Sequence, residues 1–162
     1  MKSPALATFT FKQKLLIMSW VRIWIHLVFS TKDRKEILFK ELRDSLFEHI
    51  KQNASEKDIW LDTVGGYSDH IHLLISLNKN QSISKVVQLI KGESSFWINK
   101  NNLTKTDFFW QDDYWAVSVS EGHLEQVRDY INNQEEHHHI KTFMEELDAL
   151  MKKYGWDFKN SK

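Results

Sequence analysis

The stretch Tyr67-Ser68-Asp69-His70-Ile71-His72-Leu73-Leu74-Ile75-Ser76-Leu77 constrains the fold more than any other segment of the chain. It is dense in aliphatic residues and follows a Gly65-Gly66 pair, so it predicts a β-strand entered through a turn. Side chains alternate across a strand. His70 and His72 therefore share one face, while Ile71, Leu73, Ile75 and Leu77 share the other. The aliphatic face requires a covering layer. The other face carries two neutral nitrogen donors side by side, half of what a divalent metal needs. The same pattern also suits two surface histidines on a half-exposed strand.

The rest of the chain supplies that strand with neighbours. Trp20 to Ser30 alternates Val21, Ile23, Ile25, Leu27 and Phe29 against Trp20, Arg22, Trp24, His26 and Val28, which predicts a first strand with one apolar face. A basic loop, Thr31 to Lys35, leads to a helix expected over Glu36–Ala54, with Leu38, Leu42, Leu46, Phe47 and Ile50 at helical spacing. Asp58–Val64 predicts a second strand, with Gly65-Gly66 turning the chain into the histidine strand as a hairpin. Ser82 or Ser84 can cap a helix running to about Lys100, with Val86, Leu89, Ile90 and Trp97 on its apolar side. After a loop, Tyr114–Ser120 predicts a fourth strand. Helices are expected over Glu121–Gln134 and Glu136–Tyr154.

The order βαββαβ folds most simply as a ferredoxin-like (RRM-like) α+β domain, a four-stranded antiparallel sheet with two helices on one face and C-terminal helices added. On that plan His70, His72 and His26 fall on the sheet's open face. Residues 18–154 are expected to form a single domain, with 1–17 as an N-terminal arm and 155–162 as a tail. Met18 is an alternative start.

Composition narrows the functional classes. The 162 residues are 41% hydrophobic and 27% charged, the balance of a folded domain rather than a disordered chain. Lys+Arg and Asp+Glu stand at 22 each, so any nucleic-acid binding must use a local patch and not bulk charge. The absence of cysteine excludes disulfides, thiolate metal sites and cysteine nucleophiles, and is compatible with a cytoplasmic setting. Leu15–Phe29 is the one candidate membrane segment, but Arg22 and His26 interrupt it and it is too short to span.

A partner for the histidines lies in Tyr130-Ile131-Asn132-Asn133-Gln134. On a helix, Tyr130 and Gln134 at i and i+4 project from one face. Alone, Tyr130 reads as packing and Gln134 as a surface residue. With His-x-His the set becomes chemical: an ion held by two imidazoles and an amide oxygen polarises a phosphate, and a tyrosine oxygen can attack it.

These segments resemble one family in order. His26-Leu27-Val28-Phe29-Ser30-Thr31-Lys32, Ser68-Asp69-His70-Ile71-His72-Leu73-Leu74, Ile90-Lys91-Gly92-Glu93-Ser94-Ser95, Trp110-Gln111-Asp112-Asp113-Tyr114-Trp115 and Tyr130-Ile131-Asn132-Asn133-Gln134 follow one another as in the HUH single-tyrosine transposases of insertion sequences that move as single-stranded DNA, the IS200-like family. The resemblance covers Met18 to Tyr154. It implies that His70, His72 and Gln134 bind Mg²⁺ or Mn²⁺. It implies that Tyr130 attacks a phosphodiester of single-stranded DNA, forming a 5′-phosphotyrosine and releasing a 3′-OH that later rejoins strands. No nucleotide cofactor is then needed. It further implies a homodimer, hairpin-ended DNA as substrate and no membrane association.

Other residues carry weaker readings. Lys32, Arg34 and Lys35 form a loop suited to phosphates or simply to solvent. Lys91 is a DNA-contact candidate on the family pattern. His26 is a candidate either for supporting a ligand or for touching DNA. Ser94 and Ser95 could contact phosphate but read more simply as small packing residues of a helix, and Asp112 and Asp113 as loop formers that could approach a metal. His137, His138 and His139 point about 100° apart on a helix and cannot chelate one ion together. Three rival functions share these features: an RRM-like nucleic-acid-binding domain without catalysis, an HUH-type nickase, and a domesticated transposase relative acting on chromosomal hairpins. The first predicts exposed aromatics at the middle of the central strands, where this chain has histidines.

Overall fold

The computed structural model describes Ser19, residues 21–138 and positions 145, 148, 149 and 152. The expected arm over 1–17, Trp20, the greater part of the helix expected to reach Tyr154, and the tail lie outside the described residues. Strands β1 (Ile23–Ser30), β2 (Trp60–Gly66), β3 (His70–Leu77) and β4 (Trp115–Ser118) form one sheet in the order β2-β3-β1-β4. Every pairing is antiparallel. Helices α1 (Lys40–Glu56) and α2 (Ile83–Lys100) follow β1 and β3, and α3 (Leu124–Asn132) and α4 (Gln134–His138) follow β4. This is the α+β, ferredoxin-like arrangement that the element order predicts.

The main core lies between the sheet and the α1–α2 layer. Leu27, Phe29, Ile71, Leu73 and Ile75 from the sheet meet Leu42, Leu46 and Ile50 of α1 and Val86, Ile90 and Ile98 of α2 in one buried cluster. The alternation in β1 and β3 is thus obeyed residue by residue. Ser82 caps α2, its side chain accepting from the Lys85 amide at 3.3 Å. His49 Nε2 meets Glu93 Oε2 at 2.7 Å and the His49 ring stacks on Trp97, which ties α1 to α2 on the outer side.

Several boundaries differ from the sequence reading, three of them for reasons visible in the contacts. Helix α1 begins at Lys40 rather than Glu36, because Leu38 is buried and extended, its amide bonded to Ser68 O and its carbonyl accepting from Arg43 Nη1. Gly65 and Gly66 are not the hairpin turn. They are the last residues of β2, and Tyr67–Asp69 makes the reversal. Close approach, not turn geometry, requires glycine there: a Cβ on Gly65 would stand 2.2 Å from Ile131 O, and one on Gly66 2.3 Å from His70 O. Finally, the helix expected over Glu121–Gln134 is a 3₁₀ turn (Glu121–His123), α3, a break at Asn133, and α4.

The largest correction concerns the histidine face. It lies opposite α1 and α2 as expected, but it is not open. Helix α3 covers it: Ile131 is buried with Trp24 and Leu74, and Leu124, Val127 and Tyr130 pack around them. Glu125, Gln126, Asp129 and Asn132 face out. The spacing Leu124, Val127, Ile131 is the apolar stripe of a helix lying on a sheet. Among the described residues no helix is long and apolar enough to cross a membrane.

Candidate active site

Strand register assembles the site. The pairs His72↔Val28 and Leu74↔His26 set His72 and His26 diagonally on one face of neighbouring strands. His26 Nε2 stands 3.0 Å from His72 Nδ1, and the two rings stack with centroids 5.2 Å apart. His70 and His72, two residues apart on β3, have centroids 5.0 Å apart at an interplanar angle of 82°. His70 Nδ1 lies 2.7 Å from Asp69 Oδ1. Trp115, opposite Val28 on β4, sets its ring edge-on to His26 at 5.3 Å.

Helix α3 brings the other half. The Tyr130 ring stands edge-on to His72 at 5.6 Å and to His26 at 6.0 Å, with its hydroxyl oxygen shielded from solvent. Beyond the break at Asn133, Gln134 turns inward and is 1% exposed. Its Nε2 donates to Tyr130 O at 3.2 Å, which leaves Oε1 facing His70 Nε2 at 3.5 Å. Tyr130 and Gln134 thus converge on the histidines, although no continuous helix joins them.

The donor set fits a divalent ion. His70 Nδ1 is held by a carboxylate and His72 Nδ1 by His26, so both rings would coordinate through Nε2. For His72 this places its proton on Nδ1 and makes His26 Nε2 the acceptor. Such partners fix ring orientation and raise ligand basicity. Two atoms that share an ion at about 2.1 Å stand roughly 3.0–3.5 Å apart, which matches the His70–Gln134 spacing. Among the described residues no three His, Cys, Asp or Glu side chains gather around a common point. Gln134 Oε1 offers an amide oxygen beside His70 Nε2, a group that could complete such a set.

Two ion pairs and one glycine seat α3 and α4. Arg128 grips Asp62 with a two-pronged fork, Nε to Oδ2 at 2.8 Å and Nη2 to Oδ1 at 2.9 Å, and also meets Glu125. The guanidinium holds the Asp62 carboxyl below its ordinary range, helped by the Thr63 hydroxyl and opposed by burial. Asp62 is the residue skipped in the β2–β3 register between Leu61 and Thr63, and this bulge releases it toward α3. At the other end, buried Arg43 meets Glu135 Oε1 at 2.5 Å, with Lys40 at 3.5 Å, which lowers the Glu135 carboxyl. Beside Gln134 a cavity of about 400 Å³ opens among Lys40, Arg43, Gly66, Asn133 and Glu135.

The remaining candidates sit elsewhere. His26 is 4% exposed, with its Nε2 against His72 Nδ1. Lys32 lies in the turn after β1, its Nζ 3.5 Å from Asp112 Oδ2, and Arg34 is exposed in the same turn. Lys91 reaches over the Phe29 ring and donates to the carbonyls of Gln111 (2.5 Å) and Asp112 (2.9 Å), and burial pushes its ammonium down. Lys91 therefore pins the 111–113 loop. Ser94 Oγ accepts from Trp110 Nε1 at 2.9 Å, and Ser95 Oγ donates to Phe108 O. Both are packing residues, as the sequence suggests. His137 and His138 lie in α4, and His139 lies outside the described residues. The sequence reading gave no role to Asp69, Trp115, Asp62 or Arg128. Only the position of Asp69, next to His70, carried a visible hint.

This ferredoxin-like sheet, with a buried histidine pair under a helix that carries a tyrosine, is that of a DNA-processing enzyme of the transposase class. The chain belongs to the IS200-like transposase family, whose model matches residues 19–134. It is 28% identical over 114 residues to the ISDra2 transposase TnpA of Deinococcus radiodurans, covering 67% of this chain and 81% of that protein. It is 25% identical over 114 residues to the transposase for insertion sequence element IS200 of Salmonella typhimurium, covering 67% and 74%. Among solved structures it resembles a candidate transposase of Deinococcus radiodurans (TM-score 0.55, 24% identity, 83% of this chain and 98% of that one). It also resembles a REP-associated tyrosine transposase bound to a REP hairpin (TM-score 0.53, 16% identity, 75% and 72%). Both structural likenesses speak to the fold.

Proposed function

We propose that this transposase cleaves and rejoins single-stranded DNA through a 5′-phosphotyrosine on Tyr130, with His70, His72 and Gln134 holding Mg²⁺ or Mn²⁺. The observation that carries this reading is the convergence of Tyr130 and Gln134 on His72 and His70 across the covered face of the sheet. Bound there, the ion supplies Lewis-acid polarisation of a phosphate oxygen. His26 and Asp69 hold the two ligand rings, and Gln134 ties its own orientation to the backbone of Tyr130. The Tyr130 oxygen bonds to phosphorus as the P–O3′ bond breaks, and in net terms the phenol proton passes to the departing oxygen, which leaves as a 3′-OH. Attack by a 3′-OH on the phosphotyrosine reverses these bonds and rejoins the strand. One phosphodiester is exchanged for another, so no nucleotide is consumed.

His70 and His72 are fully buried and Gln134 nearly so. A phosphodiester therefore reaches them only when α3 or α4 shifts, and the cavity flanked by Lys40 and Arg43 is the adjoining approach. Hairpin-ended DNA is the proposed substrate, in keeping with the hairpin bound by the REP-associated neighbour, and a homodimer is the proposed assembly. Lys32, Arg34 and Lys91 remain proposed DNA contacts at one end of the sheet. Incubation with single-stranded hairpin DNA and Mn²⁺ should give a covalent protein–DNA adduct on a denaturing gel. The adduct should vanish in Tyr130→Phe, with chelator, and in His72→Ala. An adduct that persists in Tyr130→Phe would falsify the nucleophile assignment.

A further inference from the structure

A second cavity, of about 490 Å³, opens on the same sheet face as the histidines but at its opposite end. Its size lies within the roughly 300–1,000 Å³ range of small-ligand sites. The register Trp24↔Ser76↔Trp60 sets these three side chains in one row across β1, β3 and β2, and all three line it. His72 and Ser76 are four residues apart on β3, so the row lies about 13 Å from the metal ligand along the strand.

Two features of this cavity serve nothing else described. Trp60 leaves 67% of its surface in water at the sheet edge, an indole face open to a stacking partner. Trp24 is 7% exposed, and its buried Nε1 donates to no acceptor among the described residues. An orphaned buried donor calls for a ligand atom that accepts. The cations nearby are already paired, Arg22 with Glu121 and Arg128 with Asp62, and Asp58 adds a carboxylate to the lining. That balance disfavours a phosphate. It suits a flat neutral ring with polar edges.

We propose that the Trp24–Trp60 cavity binds one unstacked nucleobase of the single-stranded DNA, a few nucleotides from the reacting phosphate, with the base on the Trp60 indole and a base acceptor on Trp24 Nε1. The proposal rests on the single-strand reading above. Base–aromatic stacking accounts for such contacts without a full hydrogen-bond code, and the indole N–H adds a preference for an acceptor edge. The cavity thereby reads sequence next to the cleavage site, apart from any hairpin contact.

Binding of fluorescently labelled oligo(dT) to the full chain carrying Tyr130→Phe, followed by anisotropy, isolates the cavity from the chemistry. Trp60→Ala should weaken binding about tenfold, within the range for loss of one stacked base. Trp24→Phe should weaken it several-fold, while binding of an oligonucleotide of abasic sites stays unchanged in both variants. Unaltered oligo(dT) affinity in Trp60→Ala, with an unchanged melting midpoint, overturns the proposal. So does a Trp60→Ala chain whose residues 1–20 become protease-sensitive with DNA affinity intact, since the cavity would then hold the chain's own N-terminal segment. Covalent adduct formation by the wild type is scored separately. An adduct without a Trp60 effect removes the cavity and leaves the Tyr130 reading standing, whereas a Trp60 effect without an adduct does the reverse.

Discussion

The two faces of the sheet are built from the same strands and stabilised in different ways. Toward α1 and α2, every inward position is apolar, and Leu27, Leu73 and Ile75 reach zero exposure among leucines and isoleucines of two long helices. Toward α3, the buried apolar residues are Trp24, Val28, Leu74, Trp115 and Ile131 with a few half-buried neighbours, and His26, His70, His72 and Gln134 occupy the rest. A short helix cannot offset the burial of four polar side chains by apolar area alone. It is seated instead by a close approach over Gly65 and by the Arg128–Asp62 pair, with Arg43–Glu135 holding α4 beyond it. The first face makes the domain stable. The second is positioned rather than strongly bound, as the proposed entry of DNA there requires.

Substitutions can break this comparison. The largest effect is expected from Leu73→Ala on the first face, which should cost about 2–5 kcal/mol of global stability in urea unfolding, as buried leucine truncations do. A loss no larger than that of a surface change would mean that the α1–α2 face is not the main source of stability. Gly65→Ala comes next and acts on the second face. Its Cβ collides with the Ile131 carbonyl, a backbone atom that cannot swing aside. Adduct formation should fall at least tenfold, while the urea midpoint moves less than half as far as in Leu73→Ala. Equal unfolding shifts would show that the two faces form one cooperative unit.

Glu135→Gln should have an intermediate effect. It removes the partner of buried Arg43 and loosens the segment carrying Gln134, at about 1–2 kcal/mol for a half-exposed charged hydrogen bond. Mn²⁺ should raise the melting midpoint of the wild type by mass action and raise it less in this variant. The Arg43→Glu, Glu135→Arg exchange should restore part of the difference.

The smallest effect belongs to Asp62→Asn, at about 0.5–1 kcal/mol for a partly exposed pair. Arg128 holds the Asp62 carboxyl below its ordinary value of 3.8, so the folded chain binds fewer protons there than the unfolded one. The contribution is complete above that value and is lost as pH falls through the lower folded one. The variant should flatten the acid end of the stability–pH curve and leave neutral stability slightly reduced. An acid limb identical to wild type would remove Asp62 from the seat of α3.

Much of the fold was legible because period-2 and period-3.6 patterns act locally. β1 and β3 alternate as the sequence shows, and of the apolar side read for α2, Val86 and Ile90 are buried and Leu89 and Trp97 partly so. His70, His72, Tyr130 and Gln134 were legible as candidates for a different reason: their residue types and order resemble a family. The boundaries at Leu38 and Gly65-Gly66 were not legible, because contacts with Ser68 and Ile131, distant in sequence, decide them. Nor was the break at Asn133, since helical spacing alone carries Tyr130 to Gln134 without interruption.

His70-Ile71-His72 by itself determined that two imidazoles share a strand face opposite an aliphatic one, because alternation is a property of the backbone. Only the tertiary structure decided that this face is covered, that His26 holds His72, and that Asp62 and Arg43 seat the segments bearing Tyr130 and Gln134. Those contacts join residues dozens of positions apart. Their distances depend on strand order, a bulge and a helix break, none of which has a local sequence signal strong enough to read.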